Sequence, residues 1–320
     1  MIIACATDDN FVQHCTIMLV SLLSNNDNVD IYVLTEGLTE QNTKILQDEV
    51  TAKGGVLHIC KVDSKIIEQV PISTHKALAH ISKATYYRLF MQDLLPESVE
   101  KVLYLDCDIV VNQSIRELWD VDLTGMAIAA VREIGSGYHA ERLGIPLKTG
   151  YFNAGVNLLN LAYCREHNMT DKFMKYIKEN YSKLQYNDQD VLNGVLHDKC
   201  VHLMPQWNMF PLMFDSRLNK RGDSRGGVVI NEYLEEKANA INDRKNPHIV
   251  HYIAKPKPWD KGCVSKCYYL YYMYAKKTLN FKDIQPESCL IHEYNMFKYD
   301  LKVFVSNIKQ SIHKTDKSLL

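Results

Sequence analysis

The feature that most constrains this chain is the alternation of strand and helix patterns over its first third. Short apolar runs predict strands at Ile2–Ala6, Val29–Leu34 and Val56–Val62. Between them lie helical patterns, one with an apolar face running from Val12 to Leu23 and one over Thr39–Thr51. Strands that alternate with helices of this length favour right-handed βαβ crossovers and a mainly parallel sheet. The predicted fold class is therefore α/β.

The pattern continues further along the chain. A helix is predicted at Ala84–Leu95, followed by Lys101–Val111, the most apolar run of the sequence, which we predict to be one strand. Further strands are predicted at Met126–Val131 and Phe152–Leu159, and a helix at Asp188–Leu196. The central sheet should therefore be flanked by helices.

Composition removes several classes of protein. The 320 residues are 46% hydrophobic and 23% charged, with a formal net charge of −1, which is typical of a globular protein and gives no electrostatic reason to bind nucleic acid. Nine cysteines without a CxxC pair or a zinc-ribbon spacing suit a reducing compartment. The apolar run after Met1 is too short for a signal peptide, and no 18-residue apolar stretch occurs. We expect a cytoplasmic location.

The composition changes near residue 255, which divides the sequence into a predicted catalytic domain, 1–255, and a basic, tyrosine-rich C-terminal region, 256–320. From Lys255 onward there are twelve lysines, no arginine and six acidic residues, a net charge of +6. This region also holds the run Tyr268–Tyr274. Two alternatives stay open: peripheral contact with the inner face of an anionic membrane, or packing of the tyrosine run as a small helical appendage. The lysines expected to contact a membrane are Lys298, Lys302, Lys309, Lys314 and Lys317.

Two acidic clusters follow predicted strands, where the loops of an open α/β sheet bind ligands. Asp8 follows the first strand, and Asp106 and Asp108 lie within LYLDCDIVV. At positions i and i+2 of an extended chain the latter two carboxylates should face one side, about 6–7 Å apart. A divalent cation such as Mn²⁺ or Mg²⁺ would offset their repulsion and desolvation. The alternative is a pair of solvated acids at the end of a strand.

Other candidate site residues occur in three later motifs. His251 follows an apolar pair and offers a nitrogen ligand that would favour Mn²⁺, and Lys257 could neutralise a phosphate. Taken alone, such a histidine is more often structural. Asn153, Asp188 and Gln189 carry polar groups near predicted element ends, although Asp188 could simply cap a helix and Asp190 could favour its first turn.

Six motifs in order resemble those of the family 8 retaining glycosyltransferases, including bacterial lipopolysaccharide galactosyltransferases and glucosyltransferases. They cover roughly residues 2–259 and are ATDDN, HIS-x-x-TYYRL, LYLDCDIVV, FNAGVNLLN, NDQDVLNG and HYIAKPKPW. The resemblance implies a GT-A fold and transfer of a hexose, galactose or glucose, from a UDP-sugar to a saccharide acceptor of a bacterial surface glycan.

The resemblance also implies a role for each candidate residue. The residues implied to contact the nucleotide-sugar are Ala6, Asp8, Asn10, Arg88, Asp106, Cys107 and Lys257. Those implied to ligate Mn²⁺, with Mg²⁺ as the alternative, are Asp106, Asp108 and His251. The residues implied to surround the donor sugar are Asn153, Asp188 and Gln189, and His80 would face the acceptor. At Arg132-Glu133, on the acceptor side, the chain departs from relatives that often carry an Asp there.

Retention of configuration would ordinarily use a carboxylate nucleophile. The matching residue is Gln189, which has no charge to give, so attack by the acceptor from the face of the departing diphosphate fits better. Asp190 is a less well-placed alternative nucleophile.

Two other functions were considered. LDCDIVV also matches the nucleophile motif of haloacid-dehalogenase-like phosphatases, but those place it near the N-terminus, and Gly222-Asp223 is not followed by the acidic residue they need. A non-catalytic protein that binds nucleotide-sugars would retain binding without hydrolysis of a UDP-sugar. Neither nicotinamide nor P-loop nucleotide binding is expected, because no GxGxxG follows the first strand and no GxxxxGK[ST] occurs.

Overall fold

The computed structural model describes residues 1–63, 65, 70, 83–133, 136–210, 213, 247–253, 255–287, 291–295 and 297–298. The strands in chain order are β1 (Ile2–Ala6), β2 (Asp30–Thr35), β3 (Val56–Lys61), β4 (Lys101–Leu105), β5 (Ile109–Val111), β6 (Ile128–Arg132), β7 (Phe152–Asn160), β8 (Cys200–Leu203) and β9 (Ile249–His251). The α-helices are α1 (Val12–Leu23), α2 (Glu40–Ala52), α3 (Met91–Leu94), α4 (Arg116–Trp119), α5 (Gly137–Leu143), α6 (Leu161–Glu166), α7 (Met169–Asn180), α8 (Asn187–Leu196) and α9 (Tyr268–Ala275). Short 3₁₀ helices span Lys83–Phe90, Tyr181–Lys183 and Pro205–Trp207.

Seven strands form a central, mostly parallel sheet in the order β3-β2-β1-β4-β7-β6-β8. The first four of these are parallel neighbours, β7 runs antiparallel to both β4 and β6, and β8 is parallel to β6. The βαβ alternation of the sequence thus predicts the first half of the sheet correctly. The α/β fold class is confirmed.

The run Lys101–Val111 is two strands, so the prediction of one strand is wrong. β4 ends at Leu105, the chain turns through Cys107 and Asp108, and β5 leaves the central sheet to pair antiparallel with β9. Continuous apolar character did not reveal the break, because both strands are buried and each requires apolar residues. The expectation that Asp106 and Asp108 face one side of an extended chain is therefore also wrong; a turn brings them together.

The predicted helix Ala84–Leu95 is a 3₁₀ helix up to Phe90, followed by the single turn α3. Tyr86, Tyr87 and Arg88 are successive residues and all are buried. The segment is enclosed on several sides, because it packs against β1, β2, α7 and α8.

Two apolar clusters form the core. The first cluster includes α1, β5, β9 and α9, and the second includes the 3₁₀ segment, α6, α7 and α8. In the described part of the chain, no helix is both long enough and apolar enough to cross a membrane. The inner strands of the sheet are thus buried, whereas the edge strand β3 is largely exposed.

The tyrosine run forms α9 and packs against α1, as the second of the two alternatives predicted. The Tyr271 hydroxyl lies 2.7 Å from Nδ1 of His14, and Asn25 donates a hydrogen bond to the Tyr274 hydroxyl at 2.8 Å. Tyr271, Tyr272 and Tyr274 belong to the first apolar cluster. The part of the chain after residue 255 therefore contributes to the same core, while the domain boundary at that residue stays a prediction.

Leu19→Ala should destabilise the protein by about 2–5 kcal/mol, because Leu19 on α1 is fully buried and its truncation leaves a cavity. Leu279→Ala is the matched control: its side chain is 55% exposed, so the change should stay within about 0.5 kcal/mol. Urea unfolding followed by circular dichroism measures both. Equal losses for the two variants would contradict the placement of α1 in the core.

Candidate functional site

The turn between β4 and β5 brings two carboxylates to one histidine. Nε2 of His251 lies 3.2 Å from Oδ1 of Asp108 and 3.7 Å from Oδ2 of Asp106. The antiparallel pairing of β5 with β9 places Ile109 opposite His251, which fixes this approach. One ligand atom from each of the three residues lies within 4.8 Å of the others. This is the donor set that the sequence predicted for a divalent cation.

The His251 ring is held by its other nitrogen. Nδ1 lies 2.9 Å from Oδ1 of Asn208, an oxygen that only accepts, so Nδ1 is the donor to Asn208 and Nε2 faces the carboxylates. Asn208 in turn donates to Oδ1 of Asn153 at 2.9 Å. A ligand histidine fixed in this way by an outer hydrogen bond is typical of metal sites.

Space next to these ligands exists only because residue 155 is a glycine. A Cβ at Gly155 would lie 2.1 Å from Cε1 of His251 and 2.9 Å from Oδ2 of Asp106, closer than any real contact. Two carboxylates and one imidazole suit Mn²⁺ or Mg²⁺, with the nitrogen favouring Mn²⁺. The residues present therefore fit a hard divalent cation.

Lys257 provides the positive charge nearest to the carboxylates. Its Nζ lies 2.5 Å from Oδ2 of Asp108 and 2.5 Å from the carbonyl oxygen of Tyr252. Burial alone would raise the pKa of Asp108, but the neighbouring Lys257 and His251 outweigh it and hold that pKa well below its usual range. Asp108 is consequently ionised at neutral pH.

Arg88 is buried between Asp106, one of the candidate cation ligands, and Asp188 on α8. Its guanidinium contacts Oδ1 of Asp106 at 2.7 Å and Oδ2 of Asp188 at 2.8 Å, donates to the carbonyl oxygen of Ala154, and covers the Tyr104 ring at 4.2 Å. Burial raises the pKa of Asp188 to about 6 against the opposing effect of Arg88, so Asp188 is mostly ionised at pH 7. Arg88 thus pairs with both acids at once and orients each.

Gln189, in the first turn of α8, has all its hydrogen-bonding groups engaged. Oε1 accepts from the Ala154 amide at 3.0 Å and from Nδ2 of Asn153 at 3.2 Å. Nε2 donates to Oε2 of Glu133 and to the Tyr151 hydroxyl, both at 3.1 Å. These partners fix which end of the amide is the donor. The sequence placed Gln189 and Asn153 in one site, and the structure brings them into direct contact.

Asp190, on the same helix, is fully buried. Arg142 contacts its two oxygens at 2.8 and 3.0 Å, the Tyr151 hydroxyl donates to it at 2.7 Å, and the amides of Gln185 and Tyr186 donate at 2.6 and 2.8 Å. With every lone pair engaged, this carboxylate anchors the start of α8. Asp188 likewise does not cap the helix, because the cap position is Tyr186 and Asp188 lies one residue inside the first turn.

The residues after β1 lie at the same end of the sheet. Asp8 accepts hydrogen bonds from the amides of Asn10 and Phe11 at 2.9 and 3.1 Å, which hold the turn before α1, while Asn10 is exposed and Ala6 is half-buried. The Cys107 thiol donates to the Ala6 carbonyl oxygen at 3.2 Å and is only 6% exposed. The side chain of Cys107 therefore points into the core, and only its backbone could face a ligand.

His80, predicted to face the acceptor, lies outside the described residues, as does Gly222-Asp223 of the phosphatase alternative. The site also contains residues to which the sequence assigned no role. Asn208 holds the metal-ligand histidine, Tyr151 joins Gln189 to Asp190, and Glu133 accepts from Gln189. Glu133 was noticeable only as a departure from the family pattern. Burial raises its pKa above the usual value.

Together these residues form a polar site with two parts. One part offers carboxylates, an imidazole and a lysine for a cation and phosphate charge, and the other offers amides and a buried carboxylate for a neutral, hydroxyl-rich group. The two parts meet along β7, which carries Asn153 and Gly155.

Comparisons with known proteins identify the family of the chain. The family model described as glycosyl transferase family 8 matches residues 2–263. General stress protein A of Bacillus subtilis is 34% identical over 82% of this chain and 87% of its own length, and a putative glycosyltransferase of Haemophilus influenzae is 27% identical over 81% and 72%. The crystal structure of galactosyltransferase LgtC with donor and acceptor sugar analogues has the same fold, with a TM-score of 0.76 and 24% identity over 90% of this chain and 98% of that one. The chain has a GT-A-like fold and belongs to glycosyltransferase family 8.

Proposed function

We propose that the chain is a metal-dependent, retaining hexosyltransferase. It would move galactose or glucose from a UDP-sugar, in α-linkage, to a saccharide acceptor of a bacterial surface glycan such as lipopolysaccharide. Membership in family 8 supports a transferase, and the LgtC complex contains donor and acceptor sugar analogues. The same membership leaves the phosphatase alternative without support.

The observation that carries this proposal is a chain of three hydrogen bonds across the site. It runs from Nδ1 of His251 through Asn208 and Asn153 to Oε1 of Gln189, with lengths of 2.9, 2.9 and 3.2 Å. The chain links the residues that would bind a cation to the amide that would face the sugar. A site that must hold a diphosphate and a hexose in one fixed relation needs such a connection.

The donor would lie across the end of the sheet. Ala6, Asp8 and Asn10, at the end of β1, would contact the uridine. Asp106, Asp108 and His251 would hold Mn²⁺, or Mg²⁺, which when bound supplies positive charge to the diphosphate. Lys257 would leave Asp108 for a phosphate oxygen and stabilise the negative charge that develops there. Arg88, which already pairs with two acids, would act by holding Asp106 and Asp188 in place.

The disposition of the carboxylates supports retention without an enzyme nucleophile. Asp190 has both oxygens bonded to Arg142 and to backbone amides, so it is unsuited to attack the anomeric carbon. Gln189 is uncharged. We infer that the acceptor attacks from the face of the departing diphosphate, whose oxygen takes the proton, while Asn153, Asp188 and Gln189 hold the sugar.

Glu133 and His80 belong to the acceptor side of this proposal. Glu133 places a carboxyl with a raised pKa beside Gln189, where its side chain is one methylene longer than the Asp that relatives often carry. The acceptor can be lipid-linked, in which case the basic C-terminal region would bring the enzyme to the inner face of the cell membrane.

The donor and the metal are tested together. Purified protein supplied with Mn²⁺ should release UDP from UDP-galactose or UDP-glucose, and excess EDTA should abolish release because the carboxylates then have no cation to share. Asp106→Ala, Asp108→Ala and Gly155→Ala should each lower turnover by at least about 10³-fold, since a bound metal contributes several kcal/mol to the transition state. Coupled detection of UDP measures all of these.

Gly37→Ala is the control for Gly155→Ala, because a Cβ at Gly37 would meet nothing within 4 Å. Full turnover in excess EDTA would refute the metal assignment. Preference for a GDP- or CMP-sugar would refute the roles of Asp8 and Asn10, and binding of UDP-sugar without any release or transfer would favour a non-catalytic sensor.

Gln189→Ala should lower kcat by about 10–10³-fold without abolishing it, because a positioning amide contributes about 1–4 kcal/mol in the transition state. Steady-state kinetics with product anomer assignment by NMR is the measurement, and Gln47→Ala on the exposed face of α2 is the control. A product of inverted configuration would exclude the retaining mechanism, and complete loss of activity would indicate that Gln189 does more than hold the sugar.

The full chain should sediment with vesicles that contain anionic lipid, and binding should fall as salt rises, because each basic residue near the surface contributes about 1 kcal/mol. Exposed apolar side chains near the described end of the chain, Tyr294 at 61% and Phe297 at 67%, could insert at headgroup depth. Lys298 is described, whereas the other lysines of this test lie beyond the described residues. In the test variant, glutamine replaces five lysines: Lys298, Lys302, Lys309, Lys314 and Lys317.

That variant should lose vesicle binding. The matched control replaces with glutamine five exposed lysines of the catalytic domain, Lys44, Lys53, Lys172, Lys175 and Lys178. Equal sedimentation of the three proteins would refute a membrane role for the C-terminal region.

A further inference from the structure

Three cysteines from separate parts of the chain meet at the turn formed by Asp106, Cys107 and Asp108, which we call the carboxylate turn. Cys5 lies on β1, Cys15 on α1, and Cys107 in the turn between Asp106 and Asp108. All three are buried and none is in a disulfide. Their sulfur atoms lie within 4.8 Å of one another, and Sγ of Cys5 is 3.7 Å from Sγ of Cys15.

These distances between sulfur atoms are similar to those between the thiolate ligands of one metal ion. A metal–sulfur bond of about 2.3 Å places the sulfurs about 3.8 Å apart in tetrahedral and about 4.0 Å apart in trigonal geometry. The Cys5–Cys15 distance is already at the tetrahedral value, and the remaining sulfur needs to move by less than about 1 Å to complete the site. Only small side-chain rotations are required.

The three sulfur ligands are chemically soft, whereas the carboxylates of the neighbouring candidate cation site are hard. Thiolates select soft ions such as Cd²⁺, Zn²⁺ and Cu⁺, whereas carboxylates with water or phosphate oxygens suit Mn²⁺ and Mg²⁺. We propose that Cys5, Cys15 and Cys107 form a binding site for one soft, thiophilic metal ion, separate from the site formed by Asp106, Asp108 and His251. The proposal does not depend on the transferase function.

Binding forms metal–sulfur bonds and breaks the S–H bond of each thiol that ligates, with the protons passing to water. No oxidation state changes. Without an ion, the neutral thiols pack as small apolar groups in the first apolar cluster. Cys5 and Cys15 are completely enclosed and Cys107 is 6% exposed, so an ion would enter past Cys107.

An ion in this position would act on the carboxylate turn. Cys107 separates Asp106 from Asp108 in sequence, so a bond from its sulfur to an ion shared with β1 and α1 would tie the turn to both elements. Two backbone hydrogen bonds hold the turn: the Asp106 amide donates to the Gly155 carbonyl oxygen at 2.9 Å, and the Tyr252 amide donates to the Asp108 carbonyl oxygen at 2.9 Å. Among the described residues, the other contacts of the turn are made by side chains. The site would thus couple soft-metal binding to the arrangement of the two carboxylates.

The test is a titration of the full chain with Cd²⁺ in a phosphine reductant. Sulfur-to-cadmium charge transfer absorbs in the ultraviolet, whereas cadmium bound by carboxylate and imidazole does not, so the absorbance reports thiolate ligation. We expect one tight equivalent. Cys15→Ala and Cys5→Ala should each weaken it by more than the roughly 10–100-fold that loss of an outer partner of a metal ligand costs.

Cys164→Ala is the matched control, since Cys164 is equally buried but belongs to the second apolar cluster. It should bind Cd²⁺ like the wild-type protein. Identical titrations of wild-type, Cys15→Ala and Cys5→Ala proteins would overturn the proposal. X-ray absorption at the cadmium edge of the wild-type protein gives an answer that does not require a folded variant: three sulfur neighbours support the site, and only oxygen or nitrogen neighbours overturn it.

Discussion

The break in the chain after Leu105 is the constraint on which the site depends. A buried parallel strand would have continued into the apolar residues that follow, yet β5 leaves the central sheet and pairs with β9. That second pairing brings His251, distant in sequence, to within hydrogen-bonding range of Asp108. Because β5 and β9 are each three residues long, they depend on the apolar cluster beneath them rather than on their own ladder. The three residues that could bind a cation are therefore held in place by the core.

Around this turn, the protein keeps buried charges in place by pairing each of them. Arg88 lies between Asp106 and Asp188, and Arg142 pairs with Asp190. Breaking such a pair leaves an uncompensated buried charge, which costs far more than an exposed ion pair contributes. This arrangement explains why two acids on one helix have different roles. Asp188 pairs with Arg88 at the site, whereas Asp190 anchors α8 and accepts a hydrogen bond from the Tyr151 hydroxyl. The ion pairs of Asp188 and Asp190 hold α8 in place, and the uncharged Gln189 amide between them therefore keeps one orientation.

Much of the fold and of the site composition was accessible from the sequence. The strands β1 and β3 and the helix α1 lie where apolar runs and periodicity predicted them, because each is a local pattern bounded by polar residues or glycine. Asp106 and Asp108 were predicted to bind a cation because two carboxylates in apolar surroundings repel each other and lose solvation, and the family resemblance added His251. The 3₁₀ segment at Lys83–Phe90 was missed, since it is enclosed on several sides and no single apolar period describes it. Glu133 was visible only as an unusual residue, and Asn208 carried no signal at all, because a hydrogen bond to a distant histidine leaves no local pattern.

The sequence by itself determined the α/β class, the order of the first strands and the chemical identity of the groups that could bind a cation and a phosphate. These depend on local periodicity and on the chemistry of individual side chains, both of which can be read along the chain. Only the tertiary structure decided that LYLDCDIVV is broken, that Asp190 is enclosed while Gln189 is half-exposed, and that three cysteines meet behind the turn. Each of those results depends on contacts between residues far apart in sequence, and such contacts are fixed when the whole core packs rather than by any local preference.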